Sequence, residues 1–145
     1  MRSIMTDNLE QCYYCGTTKN VELHHCIHGN KTLRSASTSQ HLLIGICSSC
    51  HRGLNGIHGK YGKEKDLRLQ ALAQETWEKR RIKKGKSSPE TVRQDWINMF
   101  GTDYIEEFNH YIEECKNDLV PLEEDEEELL RQLRKEMSTD LITNM

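Results

Sequence analysis

Long apolar runs are missing from this 145-residue chain. No stretch approaches the roughly 20 apolar residues that a bilayer-spanning helix needs. Met1 to Glu10 carries no apolar segment suited to a secretory signal, so the expected setting is a reducing compartment. Disulfides are disfavoured there, which leaves the six cysteines free or metal-bound. Hydrophobic residues are 35% of the chain and charged residues 30%, so the core is modest. That balance fits one compact domain, or a small domain with appendages, with a metal as a second stabiliser. No internal repeat is apparent.

Charge is unevenly spread. Residues 1–94 hold 16 Lys and Arg against 8 Asp and Glu, whereas residues 95–145 hold 4 against 15. A basic front and an acidic back fit a nucleic-acid-binding domain followed by a separate acidic segment. A solvated surface with chance clustering is the plainer alternative.

Residues 12–62 contain five of the six cysteines, six of the seven histidines and seven of the nine glycines. Such a segment suits a loop-rich metal fold. Val21 to Ile27 alternates as a short strand does, and His41 to Ile46 is a second apolar run suited to the return strand. The polar stretch from Gly29 to Gln40 between them reads as a loop. Leu67, Leu69, Leu72, Ala73, Thr76 and Trp77 then recur at helical spacing, predicting a helix over about 64–82 that ends in a basic run with Gly85 as its cap. Ser88-Pro89 restarts a helix with Val92, Trp96 and Met99 on one face. Thr102 is a candidate cap for a third helix bearing Ile105, Phe108, Ile112 and Cys115. The acidic run Glu123–Glu128, followed by Leu129, Leu130 and Leu133, predicts a helical or disordered tail.

Cys12-Tyr-Tyr-Cys15-Gly16 and Cys47-Ser-Ser-Cys50 are two C-x-x-C pairs. Two tight turns that each offer two thiolates satisfy the tetrahedral demand of a structural zinc ion. A redox dithiol would need the strand-to-helix junction of a larger α/β fold. The gap between the pairs holds the strand-loop-strand, which reads as a hairpin stapled at its base.

That hairpin carries His24, His25, His28 and His41, and His51 and His58 follow the last cysteine. His24, His25 and His51, with His58, are expected to converge. Neutral imidazoles serve both as metal ligands and as general bases near neutral pH. Phosphodiester cleavage needs a base for water, a cation for the growing charge and groups that hold the phosphate in line. Arg52, Lys60 and Arg34 are candidates for the last role. Neighbouring strand residues point to opposite faces, so His24 and His25 share one site only at a twisted strand end. A second zinc site built from Cys26 and His28, without catalysis, is the competing reading.

The order Cys-x-x-Cys-Gly, Glu22-Leu23-His24-His25 and Cys-x-x-Cys-His51 resembles the HNH endonucleases, the ββα-metal or His-Me finger group. Gly53-Leu54-Asn55-Gly56-Ile57-His58, with the Asp66-Leu67-x-Leu69 helix and Ala73-Gln74-Glu75, is similar to a phage subgroup that includes recombination-enhancing nucleases of the Ref type. The resemblance covers about residues 12–104. It implies an α+β fold, a small ββα-metal HNH module with a structural zinc held by four cysteines, followed by helices and an acidic tail. It implies His25 as general base, His24 and His51 as metal ligands and His58 as an extra ligand. The implied cation is a single magnesium or manganese ion, with zinc as a further option. The middle asparagine of the family is absent: Leu42 lies nine residues before His51, which leaves His41 or a backbone carbonyl to orient His25.

The expected organisation is a zinc-stapled module over 1–62, a helical extension over 63–117 and the tail over 118–145. The expected activity is metal-dependent DNA hydrolysis, with Lys79, Arg80, Arg81, Lys83 and Lys84 holding DNA through its phosphates. The resemblance implies the cytoplasm of a bacterial host, a recombinase filament or another phage or host protein as partner, and a homodimer as one route to cutting both strands. The alternative is a non-catalytic zinc module that binds DNA or recruits a partner. A redox sensor at Cys26 and Cys115 is a third and weaker reading, because neither has a clear activating neighbour beyond the histidines near Cys26.

Overall fold

The computed structural model describes residues 2–85, 87–116 and 131. The chain divides into two units, Met1–Phe108 and Asn109–Met145. In the second, residues 109–116 and 131 are helical. The acidic run Glu123–Glu128 and the leucines at 129, 130 and 133 lie outside the described residues.

The first unit is α+β. Strand β1 (Val21–His25) pairs antiparallel with β2 (Leu43–Cys47), in a register from Val21 opposite Cys47 to His25 opposite Leu43. Every residue of β2 is buried, as its unbroken apolar run requires. The N-terminal segment runs along the other edge of β2: Tyr13 donates its N–H to the Gly45 carbonyl at 2.8 Å, and Ser3 Oγ donates to the Leu43 carbonyl. A Cβ at Gly45 would overlap the carbonyl oxygens of Leu9 and Gln11, so the close approach requires glycine there.

The stretch between the strands is not a loop. Helix α1 (Lys31–Ser39) occupies it, capped by Asn30, whose Oδ1 accepts the Leu33 N–H at 2.9 Å. Its Ser/Thr-rich sequence conceals an inner face: Leu33 and Ala36 pack on the core, and buried Ser37 donates to the Leu42 carbonyl at 2.7 Å. That tertiary bond satisfies a hydroxyl which, read locally, argues against helix.

Helix α2 (Ser48–Arg52) follows β2 directly. Residues 53–62 then wind in a tight spiral with glycine at every third position. Gly56 donates to the Gly53 carbonyl at 2.8 Å, Gly59 to Gly56 at 2.8 Å and Gly62 to Gly59 at 3.1 Å. A second set ties the spiral back to α2 and to itself: Ile57 to the Cys50 carbonyl at 2.8 Å, His58 to His51 at 2.9 Å, Tyr61 to Leu54 at 3.1 Å. A Cβ at Gly59 would overlap the Gly53 carbonyl, and one at Gly62 the Gly56 carbonyl. The spacing of Gly53, Gly56, Gly59 and Gly62 is thus a small repeat that the sequence reading passed over.

Helix α3 (Lys63–Lys83) matches the predicted 64–82 within a residue at each end, and Gly85 closes it at φ +74°. Helix α4 (Pro89–Phe100) begins as expected, with Ser88 Oγ accepting the Thr91 N–H and proline in the first turn. The helical stretch that starts at 104 is capped by Asp103 rather than Thr102. Asp103 Oδ1 accepts the N–H groups of Ile105 and Glu106 at 3.1 and 3.2 Å, while the Thr102 carbonyl accepts Trp96 Nε1. Arg93 and Gln74 hold Asp103 in place, an arrangement only the packed helices create.

Residues on both sides of position 62 share one hydrophobic core, from Ile27, Leu42, Ile44 and Ile46 through Ile57 to Leu69, Trp77, Val92 and Trp96. Fully buried Gln74 links α3 to the chain after α4: its Oε1 accepts the Tyr104 N–H at 2.7 Å and its Nε2 donates to Asp103 at 3.0 Å. Among the described residues, no helix is long and apolar enough to cross a membrane.

Candidate metal centre

The two C-x-x-C turns meet at the base of the hairpin, and all six cysteines of the chain are unpaired. In each turn the second cysteine donates its backbone N–H to the sulfur of the first: Cys15 to Cys12 Sγ at 3.5 Å and Cys50 to Cys47 Sγ at 3.4 Å. Gly16 adopts φ +80°, as the knuckle requires. The sulfurs of Cys12, Cys15, Cys47 and Cys50 lie within 4.8 Å of one another, with Cys15 Sγ 3.7 Å from Cys47 Sγ. A tetrahedron with zinc–sulfur bonds of about 2.3 Å has edges of about 3.8 Å, so the group is sized for such an ion. Burial pushes the Cys12 thiol up, but the backbone N–H groups of Cys15, Cys47 and Tyr14 outweigh it and bring the group down to about 6. Burial and the neighbouring sulfurs push Cys50 up to about 12. Ionising Cys50 beside Cys12 therefore calls for a cation to neutralise the added charge.

Next to this group, four imidazoles enclose one space. The His24 ring lies 5.6 Å from His28, 5.2 Å from His51 and 5.2 Å from His58. His58 lies 5.0 Å from His28 and 4.8 Å from His51. One ligating nitrogen from each of His24, His28 and His58 falls within 4.8 Å of the others. The site is assembled by the end of β1, by α2 and by the glycine spiral, whose bond from His58 to the His51 carbonyl sets these two side by side.

His24 Nε2 is buried and has no hydrogen-bond partner. Leaving such an atom unmatched costs about 1–3 kcal/mol, so a buried orphan calls for a ligand. Burial first, then His28, His51, His58 and His25, lower His24 to about 3, which keeps it neutral and its lone pair available. Two carboxylates orient the neighbouring rings. Asp66, in the first turn of α3, takes Nε2 of His28 at 2.8 Å and leaves Nδ1 of that ring for a ligand. Glu22 takes Nδ1 of His51 at 2.8 Å and leaves Nε2. Glu22 is itself held by Arg52 at 3.0 Å, and the His51 bond lowers its pKa. Carboxylate–histidine pairs of this kind fix the tautomer and raise the basicity of metal-binding imidazoles. The four cysteines and the histidine cluster thus form two places able to hold a metal such as zinc.

The sequence expectations meet this geometry unevenly. His24 and His58 belong to the ligating group, and His51 adjoins both of them. His28 belongs to it as well, although the expected ligand set omits it and only the competing reading uses it, with Cys26. Cys26 is fully buried, lies outside the ligating group, and burial pushes its thiol up. No local signal marks Asp66, 38 positions from its partner, or the orienting role of Glu22.

His25 differs from its neighbour in burial: His24 is 4% exposed and His25 is half-buried. Burial first, then Arg34 and His28, lower the His25 pKa. Among the described residues its ring has no hydrogen-bond partner, so neither His41 nor a backbone carbonyl orients it. His41 is exposed, adopts φ +61° and lines a cavity with Trp77, Arg80 and Arg81. Of the expected phosphate contacts, Arg52 is paired with Glu22 and Lys79 with Glu75 at 2.6 Å. Lys60 lies over the Tyr61 ring and Arg81 over Trp77.

In comparisons with known proteins, no family model, no curated protein and no solved structure matches the chain.

Proposed function

We propose that the chain is a metal-dependent endonuclease that hydrolyses DNA phosphodiester bonds with His25 as general base. The observation that carries this reading is the orphaned His24 nitrogen among three further imidazoles, on the residue next to a neutral, solvent-reachable histidine. Cation site and base then lie on the two faces of one strand end.

His24, His28 and His58 would hold a divalent ion, with His51 beside them. When bound, that ion supplies Lewis-acid stabilisation for charge on the phosphate and the leaving oxygen. The nitrogen-rich donor set favours zinc or manganese over magnesium, which prefers carboxylate and water oxygens. His25, neutral because its pKa is lowered, takes a proton from water at its free ring nitrogen. Asp66 and Glu22 keep the ligand imidazoles in one orientation. The four cysteines hold a separate zinc that ties Cys50, and with it His51, to the hairpin. The cations of α3 bind DNA phosphates without reading sequence. The resemblance to HNH nucleases supports the same assignment of His24, His25 and His51.

One observation favours a second reading. His25 lacks the hydrogen-bonded partner that normally orients a catalytic imidazole, as expected of a zinc module that binds DNA without cutting it.

Plasmid nicking separates the two. Purified chain is titrated with zinc, manganese and magnesium beside His25→Ala. Nicking by the wild type that the variant loses, with metal content and DNA binding intact, supports the nuclease. Equal DNA binding by both proteins with no nicking under any metal supports the binding module.

A further inference from the structure

Away from the cluster of His24, His28, His51 and His58, α1 and α3 end beside one another around a cavity of about 360 Å³, lined among others by Gln40, His41, Trp77, Arg80, Arg81 and Lys84. Among the described residues, no carboxylate lines it. Several nearby cations are neutralised: Arg68 by Glu64 and Lys79 by Glu75 on α3, and Arg93 of α4 by Glu78 and Asp103. Among the described residues, the side chains of Arg80 and Lys84 pair with no carboxylate. The guanidinium of Arg81 lies over the Trp77 ring, 4.2 Å from its centroid, and Trp77 is pinned by its Nε1 bond to Gln40 Oε1 at 3.0 Å. The wall carrying His41 is fixed by two backbone bonds, His41 to Thr38 at 3.1 Å and Ile4 to His41 at 2.9 Å. The carbonyl ends of both helices attract cations to this place. Several positive groups are thus gathered in a concave, firmly backed site, with no carboxylate among the described residues to pair with them.

We propose that this cavity is a phosphodiester anchor that grips the nucleic-acid backbone at a distance from the histidine cluster. The proposal rests on the reading of the chain as a DNA-acting protein. A guanidinium held over an aromatic ring keeps N–H donors for phosphate oxygens, which it can grip in pairs. Helix α3 joins the two places, since Asp66 orients His28 in its first turn and Arg81 sits in its last. Fifteen residues of helix separate them by about 22 Å, or about six steps of a duplex at 3.4 Å each. The anchor would hold the flank of a strand whose other phosphates reach the histidines, and would add affinity without sequence preference.

The test is fluorescence anisotropy with a labelled 20-base-pair duplex and full-length, zinc-loaded protein, comparing wild type with Arg80→Gln/Lys84→Gln. Glutamine retains most of each stem, and zinc content with circular dichroism confirms the fold. The expected result is about tenfold weaker binding, with the slope of log K against log salt reduced by about two. Arg81→Gln alone is the second variant, expected to weaken binding in the same direction. Equal affinity and slope in wild type and both variants overturn the anchor. Calorimetric titration with inorganic phosphate separates the sources: tight phosphate binding that the variant loses, with DNA affinity unchanged, makes the cavity a small-oxyanion site and overturns the proposal too. Weaker DNA binding by the variants in a wild type that nicks no plasmid leaves the anchor standing and removes the nuclease.

Discussion

Asp66 Oδ1 lies 2.8 Å from His28 Nε2, so the first turn of α3 orients an imidazole that stands just beyond the end of β1. The helical extension therefore belongs to the metal site. Replacing Asp66 by Asn keeps the shape and removes the charge that favours the His28 N–H. The expected outcome is a 10- to 100-fold loss of affinity at the histidine site with little change in melting temperature. Competition against a chromophoric zinc chelator measures it, and unchanged affinity would show that Asp66 plays no orienting part.

The sulfur cluster is expected to dominate stability. Chelator treatment should remove zinc with loss of cooperative unfolding, and Cys47→Ser should bind one equivalent less by elemental analysis. Because His51 follows Cys50 directly, the same variant should also weaken the histidine site. Retention of full zinc and of the melting transition would rule out a structural role.

Stability of protein loaded only at the cysteines should fall as the pH drops below about 6.5. Folding lowers His24 to about 3 from a usual 6.5, so the unfolded chain takes up a proton that the folded chain refuses. The unfolded state binds more protons throughout that window, and stability is lost on acidification. Between pH 6.5 and 5 the loss should be about 2 kcal/mol, read from urea midpoints. His24→Gln should flatten the slope, and an unchanged slope would place the titration elsewhere.

If His25 is the base, its lowered pKa sets the acid limb of kcat/KM below the usual 6.5. Arg34 contributes to that lowering after burial. Arg34→Gln should therefore shift the limb to higher pH while metal content stays the same. A limb that stays in place would remove Arg34 from the neighbourhood of the base.

The glycine spiral makes a prediction that distinguishes crowding from backbone strain. Gly59→Ala forces a methyl onto the Gly53 carbonyl and should cost about 2 kcal/mol or more while weakening metal binding through His58. Gly85→Ala meets no neighbour and carries only the cost of φ +74°, about 1 kcal/mol. Thermal melts of the two variants give the comparison.

What the sequence made legible follows from how local each signal is. The cysteine pairs, both strands, α3 and α4 with its Ser88 cap depend on neighbours in the chain, and their spacing shows them. Helix α1 escaped notice because Ser37 is satisfied by Leu42, a partner that exists only after folding. His28 was set apart from the other histidines because the bend after β1 that brings it back cannot be read from residue types. Asp66 and Asp103 take their roles from side chains that packing brings to them. The missing middle asparagine points to His41 or a backbone carbonyl as the orienting group for His25, but among the described residues that ring has no hydrogen-bond partner.

The spiral over 53–62 also sets how this segment can change length. Each turn closes in three residues, with a glycine under the carbonyl of an earlier glycine. Adding or removing one residue would put a side chain where only hydrogen fits. Length can therefore vary here only in triplets, and only after His58, since a triplet inserted earlier would break its tie to His51. The segment works as a ruler with coarse divisions, and the ligand stands on one of its marks.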